Sequence, residues 1–200
     1  MRLYSSPFSR GFWKTAAAEL KDLRALVFCA LMVGASVALG LISIPVSVNL
    51  RVSVSFLARA LAAAVGGPVL GVLYGITEDI LGWVIRGDGP FFLGYTLDTV
   101  LAVLVYALFF YRQRITIWRV VAAKFLTTFP ISVGLGCLWS KMLYGKGYLY
   151  YAAKSLVKNA VYFPIQTVLL LVVFRALLPM LKKLGFIAPS TEIFPRFVHK

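Results

Sequence analysis

Residues 52–86 read VSVSFLARALAAAVGGPVLGVLYGITEDILGWVIR, and how this run divides decides the fold. Two apolar stretches, Val52 to Val65 and Val69 to Ile85, meet at Gly66-Gly67-Pro68. Proline lacks a backbone donor and pushes the residue before it out of the α region. The run therefore breaks there into two membrane segments rather than forming one long helix. The first of them is shorter than the ~20 residues that a straight crossing requires. It reads as tilted, partly re-entrant, or extended by the residues before it.

Working outward, four more apolar segments follow the same pattern: about Ala25 to Val46, Leu93 to Tyr111, Ile115 to Leu138 and Leu156 to Leu178. Only 14% of residues are charged, against about 25% in soluble domains, so there is too little polar material to coat a soluble core. Runs such as LLLVVF (169–174) do not alternate, which excludes a membrane barrel. The expected fold is all-α, an integral membrane bundle of about six transmembrane helices. Residues 1–24 are expected to be a cytoplasmic amphipathic segment, 25–178 a single transmembrane substrate-binding domain, and 179–200 a cytoplasmic basic tail. FWKTAAAELKDLRAL (12–26) reads as an interfacial helix. It lacks a small-residue cleavage site, so it is expected to be retained.

The net charge of +14 bears on orientation across a membrane rather than on nucleic acid. With both termini inside, thirteen basic residues lie on the cytoplasmic face and six on the outer one, as the positive-inside rule requires. The six outer ones, Arg51, Arg86, Lys141, Lys146, Lys154 and Lys158, sit at segment ends and run against that rule. An anionic ligand is one reason for such a placement. Arg59, inside a span, reads as a contact for another subunit or for a lipid phosphate.

Several chemistries are excluded. Cys29 and Cys137 lie in apolar segments and the lone histidine, His199, is next to the C-terminus, so neither a metal site nor a nucleophilic triad is expected. GKG at 145–147 is not a phosphate-binding loop. We expect no enzyme activity, no ATP hydrolysis by this chain alone and no cofactor.

The acids cluster instead. Of seven in the chain, Glu78 and Asp79 precede GDGPFFLGYTLD (87–98), which holds Asp88 and Asp98. Intramembrane carboxylates are functional candidates by default. For Glu78 the plain structural reading is an ion pair with Arg86 or Arg51. Asp98, about five residues into its span, suits an amino and N–H edge, which a carboxylate grips with two parallel hydrogen bonds. The plain alternative for Asp98 is a pair with Lys154 or Lys158. Tyr95 lies one turn earlier, and Phe91, Phe92 and Trp139 add flat surfaces on the same side. Gly87, Gly89 and Pro90 would shape a flap carrying the two phenylalanines. Lys154 and Lys158, spaced i, i+4 with Asn159 beside them, either snorkel outward or bind carboxylates. Ala30, Gly34 and Ala38 form a small-residue stripe that allows close helix contact, within the bundle or with another protein.

Four segments resemble, in order and spacing, the folate-specific substrate-binding (S) component of energy-coupling factor (ECF) vitamin transporters. LRVSVSFLARALAAAVGGPVLGVLYGITEDILGW matches that family's region ending in DILGY. GDGPFFLGYTLDTVLAVLVYALF matches a PTG-FFPGFTLSA region, GCLWSKMLYGKGY an NTLWLSMLYGKG, and KSLVKNAVYFPIQTVLL an IKN…PIQ. The resemblance spans about residues 21–178. It implies a six-helix membrane protein in the cell membrane, with a pocket that opens outward under two gating loops. It also implies partners: a transmembrane coupling subunit and two cytoplasmic ATPases. The stripe Ala30, Gly34 and Ala38 corresponds to the family's docking face.

This chain departs from the family pattern at Asp98, where the family has a small residue, at Ser155, where it has arginine beside our Lys154, and at Ala58. The expected ligand is folate or a related pterin. Phe91, Phe92, Tyr95 and Trp139 would cover the ring and Asp98 or Asp79 hold its polar edge. Arg51, Lys154 and Lys158 would hold the acidic tail. The alternatives are an S component for another vitamin or small metabolite, or a membrane scaffold or assembly subunit.

Overall fold

The computed structural model describes residues 7, 9–42, 44–47, 50–87, 91–145 and 147–188, with the backbone alone for 44–47, 50–52 and 144. Helix α1 (Arg10–Ala18) is capped by Ser9, whose side chain accepts from the Phe12 N–H. After a 3₁₀ turn (Glu19–Lys21), Asp22 caps α2 (Leu23–Leu41) by accepting from the Arg24 N–H. Such caps satisfy backbone donors that a helix start leaves unpaired.

The first span was expected to run to Val46, but α2 stops at Leu41 and the chain turns into an antiparallel hairpin. Strand β1 (Ile44–Ser47) pairs with β2 (Leu50–Val52), Ile44 opposite Val52 and Pro45 opposite Arg51. The cause is local. IPVSVNLRVSV is rich in β-branched residues, and Pro45 cannot continue a helix. The hairpin is an addition to an otherwise helical fold.

Helix α3 (Phe56–Arg86) folds back on itself at Gly67, whose φ of 69° and ψ of −171° are non-helical. A side chain at Gly67 would be strained at that φ, and its Cβ would lie 3.0 Å from the Tyr111 ring. Two helical segments result, 56–66 and 68–86, divided where the Gly-Gly-Pro signal placed the break. The first covers only ~16 Å at 1.5 Å per residue, about half the ~30 Å hydrocarbon thickness. It starts beside the C-terminal end of α2, since Ser53 Oγ donates to the Leu39 carbonyl. Lower down, Cys29 Sγ contacts the Ala62 carbonyl at 3.7 Å. Nearly every residue of 56–66 is buried, and a short, partial span is tolerated at membrane depth only when it is enclosed by protein in this way.

Segment 68–86 packs on α4 (Leu93–Phe110). A Cβ at Gly71 or Gly75 would lie 2.9 Å from Val103 Cγ1 or 3.0 Å from Val100 Cα. The glycine face of this helix is thus a close helix contact. Helix α5 (Ile117–Leu126) runs without a break through a π-helical stretch (Thr127–Leu135) into α6 (Gly136–Tyr144). Pro130, inside that stretch, has no N–H to give, and Ser132 Oγ donates to the Thr127 carbonyl five residues back, at 3.1 Å. The wider register accommodates a residue that cannot donate. Helix α7 (Tyr148–Lys183) begins eight residues before the expected span, because nothing after Gly147 stops it. At ~54 Å it overshoots the hydrocarbon, so the GKGYLYYAAK segment is largely helix rather than loop. Among the described residues, five helices are long and apolar enough to cross a membrane; the fold at Gly67 divides one of them, giving the sixth segment.

Away from the hairpin, α1 closes the other end. Phe12 meets Tyr111 edge to face at 5.4 Å, and the Tyr111 hydroxyl and Arg112 Nη2 both donate to Glu19 Oε1 at 2.8 Å. Burial, then the Glu19 contact, pushes the Tyr111 hydroxyl above its ordinary pKa, so it stays a donor at neutral pH.

Candidate functional site

The start of α4 and the whole of α6 converge at one end of the bundle. Phe92 precedes α4, and its ring lies edge-on to Tyr95 at 5.8 Å and to Trp139 at 5.7 Å. Phe92 and Trp139 close over Gly94, where a Cβ would come within 2.7 Å of the Trp139 ring. Trp139 Nε1 donates to Asp98 Oδ1 at 3.0 Å, and Asp98 Oδ2 has no hydrogen-bond partner among the described residues. The plain pairing of Asp98 with Lys154 or Lys158 is therefore not what the structure has. The π stretch decides where α6 points. Adding or removing one residue before Gly136 would turn Trp139 by ~100° around its helix and off the carboxylate.

Asp79 sits on the neighbouring helix, half-buried, and accepts from Thr96 Oγ1 at 2.6 Å. Phe91 is more exposed and pairs with Trp83, ring centroids 5.4 Å apart, rather than with Phe92. Asp79, Phe92, Tyr95, Asp98 and Trp139 are thus brought to one region, with Phe91 at its edge. Gly87 ends α3 in the left-handed conformation at φ 64°, which suits a sharp exit toward a flap; Gly89 and Pro90 lie outside the described residues. Arg51 is in β2, and its side chain also lies outside them.

On α7 the candidates separate. Lys154 is exposed, and its Nζ donates to Tyr150 OH at 2.7 Å. Lys158 is half-buried. Asn159 is buried, with Nδ2 donating to the Ser155 carbonyl and hydroxyl at 2.9 and 3.1 Å. Ala30, Gly34 and Ala38 all lie on the exposed side of α2, and a Cβ at Gly34 would meet nothing within 4 Å.

Glu78 corrects two expectations. Its partner among the described residues is not Arg86 but Arg59, whose Nε lies 2.9 and 2.7 Å from its two oxygens; the Arg51 alternative falls on a side chain outside them. Ser36 Oγ, from α2, donates to the same carboxylate at 2.7 Å. Arg59 therefore faces the bundle and is not a lipid or subunit contact. Thr96 and Gly94 were also missed. Neither carries a charge or a spacing signal, and each matters only through a neighbour brought in by the fold.

Six apolar helical segments enclosing buried carboxylates make this a multi-pass helical membrane protein. No protein-family model matches the chain. The folate transporter FolT of Clostridium novyi (strain NT) is 30% identical over 121 residues, which cover 60% of this chain and 70% of that protein. The folate transporter FolT of Leuconostoc mesenteroides subsp. mesenteroides is 29% identical over 151 residues, 72% and 81% of the two chains. A crystal structure of FolT bound with folic acid has the same fold, with a TM-score of 0.69 at 24% identity over 74% of this chain and 90% of that one. The chain belongs to the FolT family of folate transporters.

Proposed function

We propose that this chain is the folate-binding subunit of an ATP-driven ECF-type importer. It captures folate or a closely related pterin from outside the cell. The observation that carries the reading is the Asp98–Trp139–Phe92–Tyr95 constellation, in a chain whose relatives are folate transporters. A pterin ring offers flat faces and an edge of amino and N–H donors. Asp98 supports that match because one oxygen is steadied by the indole while the other has no partner among the described residues. Asp79, held by Thr96, supplies a second acceptor. The aromatic rings give stacking surfaces, a contact that favours flat ligands. At the outer rim Lys154, Lys158 and Arg51 are the candidates for the acidic tail, and Phe91 for the cover.

The exposed stripe Ala30, Gly34 and Ala38 on α2 is the proposed docking face for the coupling subunit, which carries two ATPases on the cytoplasmic side. Small residues allow a partner helix to approach closely without a hydrophobic driving force. The protein sits in the plasma membrane with both termini cytoplasmic, the orientation that the basic residues favour.

Calorimetry on the purified protein in detergent tests the ligand. Folic acid should bind, and Asp98→Asn should weaken it at least tenfold, by loss of a charge-assisted hydrogen bond, while the protein remains folded. Unchanged affinity in Asp98→Asn, or no binding of folic acid by the wild-type chain, refutes the reading.

A further inference from the structure

Two cations stand near one carboxylate-bearing turn of the bundle core. Glu78 accepts from Arg59 Nε and Ser36 Oγ. Lys124, on α5, is 5% exposed, and its Nζ lies 4.0 Å from the centroid of the Phe56 ring, one helical turn before Arg59. Among the described residues no anion meets this ammonium. A buried ammonium with no anion is costly.

Arg59 is incomplete as well. Glu78 takes Nε, and among the described residues Nη1 and Nη2 have no partner. Its side chain is nevertheless 26% accessible. The residues on the same helical face, Ser55, Phe56, Ala62 and Ala63, are all buried, so the accessible part of the guanidinium is bounded by buried neighbours. One turn further along from Lys124, Thr127 Oγ1 donates to Tyr106 OH at 3.2 Å.

We propose that Arg59 and Lys124 form a second polar subsite, apart from Asp98, that takes an oxyanion of the carboxylate class. The guanidinium presents a planar pair of donors suited to a carboxylate. Glu78 holds it from behind, and Lys124 adds an ammonium with no anionic partner among the described residues. Glu78 adjoins Asp79, which accepts from Thr96, two residues from Asp98 on α4, so the two subsites lie at a similar level of the bundle. A ligand with a flat donor ring at one end and an acid at the other can reach both. The assignment rests on the folate reading, since folate carries its carboxylates away from the ring, and it is the alternative to Lys154, Lys158 and Arg51 as the place where the acidic tail is held.

The test uses the purified full chain. For the wild type against Lys124→Met, folic acid affinity should fall roughly 10- to 100-fold, the loss of a hydrogen bond to a charged group. Lys124→Arg should recover most of it, and a pterin bearing no carboxylate should bind wild type and Lys124→Met alike. Arg59→Lys, which keeps a charge opposite Glu78 but loses the fork, is the second variant and should also weaken folic acid. Equal folic acid affinity in the wild type and Lys124→Met overturns the subsite. If folic acid binds to neither protein, the substrate reading fails and the subsite is judged by thermal unfolding with 4-aminobenzoylglutamate. A stabilisation of the wild type that Lys124→Met loses upholds it, and an identical response in both overturns it.

Discussion

Neutralising Glu78 should unfold this protein at a distinctly lower temperature, and the geometry sets the size of the effect. The carboxylate is buried and accepts from Arg59 Nε at both oxygens and from Ser36 Oγ. Glu78→Gln keeps the shape but removes the anion that pairs with Arg59. Breaking a buried pair from one side costs about 3–5 kcal/mol, because the remaining charge is left uncompensated. For a chain of this length 1 kcal/mol shifts the midpoint by roughly 2–4 °C, so a fall of about 6–20 °C is expected. The assay is thermal unfolding of detergent-purified protein followed by tryptophan fluorescence. The double variant Arg59→Met/Glu78→Met should recover most of the loss, since an apolar pair of similar volume carries no desolvation penalty. The two single changes are then strongly non-additive. A fall of under about 2 °C for Glu78→Gln, or a double variant as unstable as the sum of the singles, would refute the account.

Gly67→Ala should cost at least the ~1–2 kcal/mol of a left-handed backbone, plus the collision with the Tyr111 ring; a midpoint equal to wild type in the same unfolding assay counts against the kink. Tyr111→Phe should cost about 1.5–3 kcal/mol, the worth of a hydrogen bond to a charged acceptor, read as a lower midpoint with folic acid affinity unchanged. Gly34→Leu on the open face of α2 should leave folding and ligand binding intact and abolish co-purification with the coupling subunit and uptake by reconstituted vesicles; retained uptake removes α2 as the docking face.

The bundle was legible where one property dominates a long run. Hydropathy marks the segments, and Gly66-Gly67-Pro68 marks the break within three residues, of which Gly67 is the one that takes the positive φ. The hairpin was not seen because a run rich in β-branched apolar residues reads equally well as the end of a span. The early start of α7 was hidden by lysines and tyrosines that look like loop yet are ordinary in a helix extending past the membrane. Pairings were least visible. Arg59 and Glu78 are nineteen residues apart and Trp139 and Asp98 forty-one, so no helical spacing links either pair. Arg86 lies eight residues from Glu78 on the same helix, whereas the cation that meets it, Arg59, comes from the adjoining segment and only the fold at Gly67 brings the two together.

The contact of Tyr111 with Glu19 closes a loop of ninety-two residues, and this imposes an order on assembly. As the chain is synthesised, α1, α2 and both halves of α3 emerge before the ring that covers Gly67 exists. The fold at Gly67 and the seat of α1 thus stay unlocked until α4 has been made and returned to the same side of the membrane. A contact of such sequence separation forms late, after the loop-closure entropy has been met. The amino-terminal helix, first to be synthesised, is therefore among the last parts to settle, and a nascent chain cut short before residue 111 should leave it undocked.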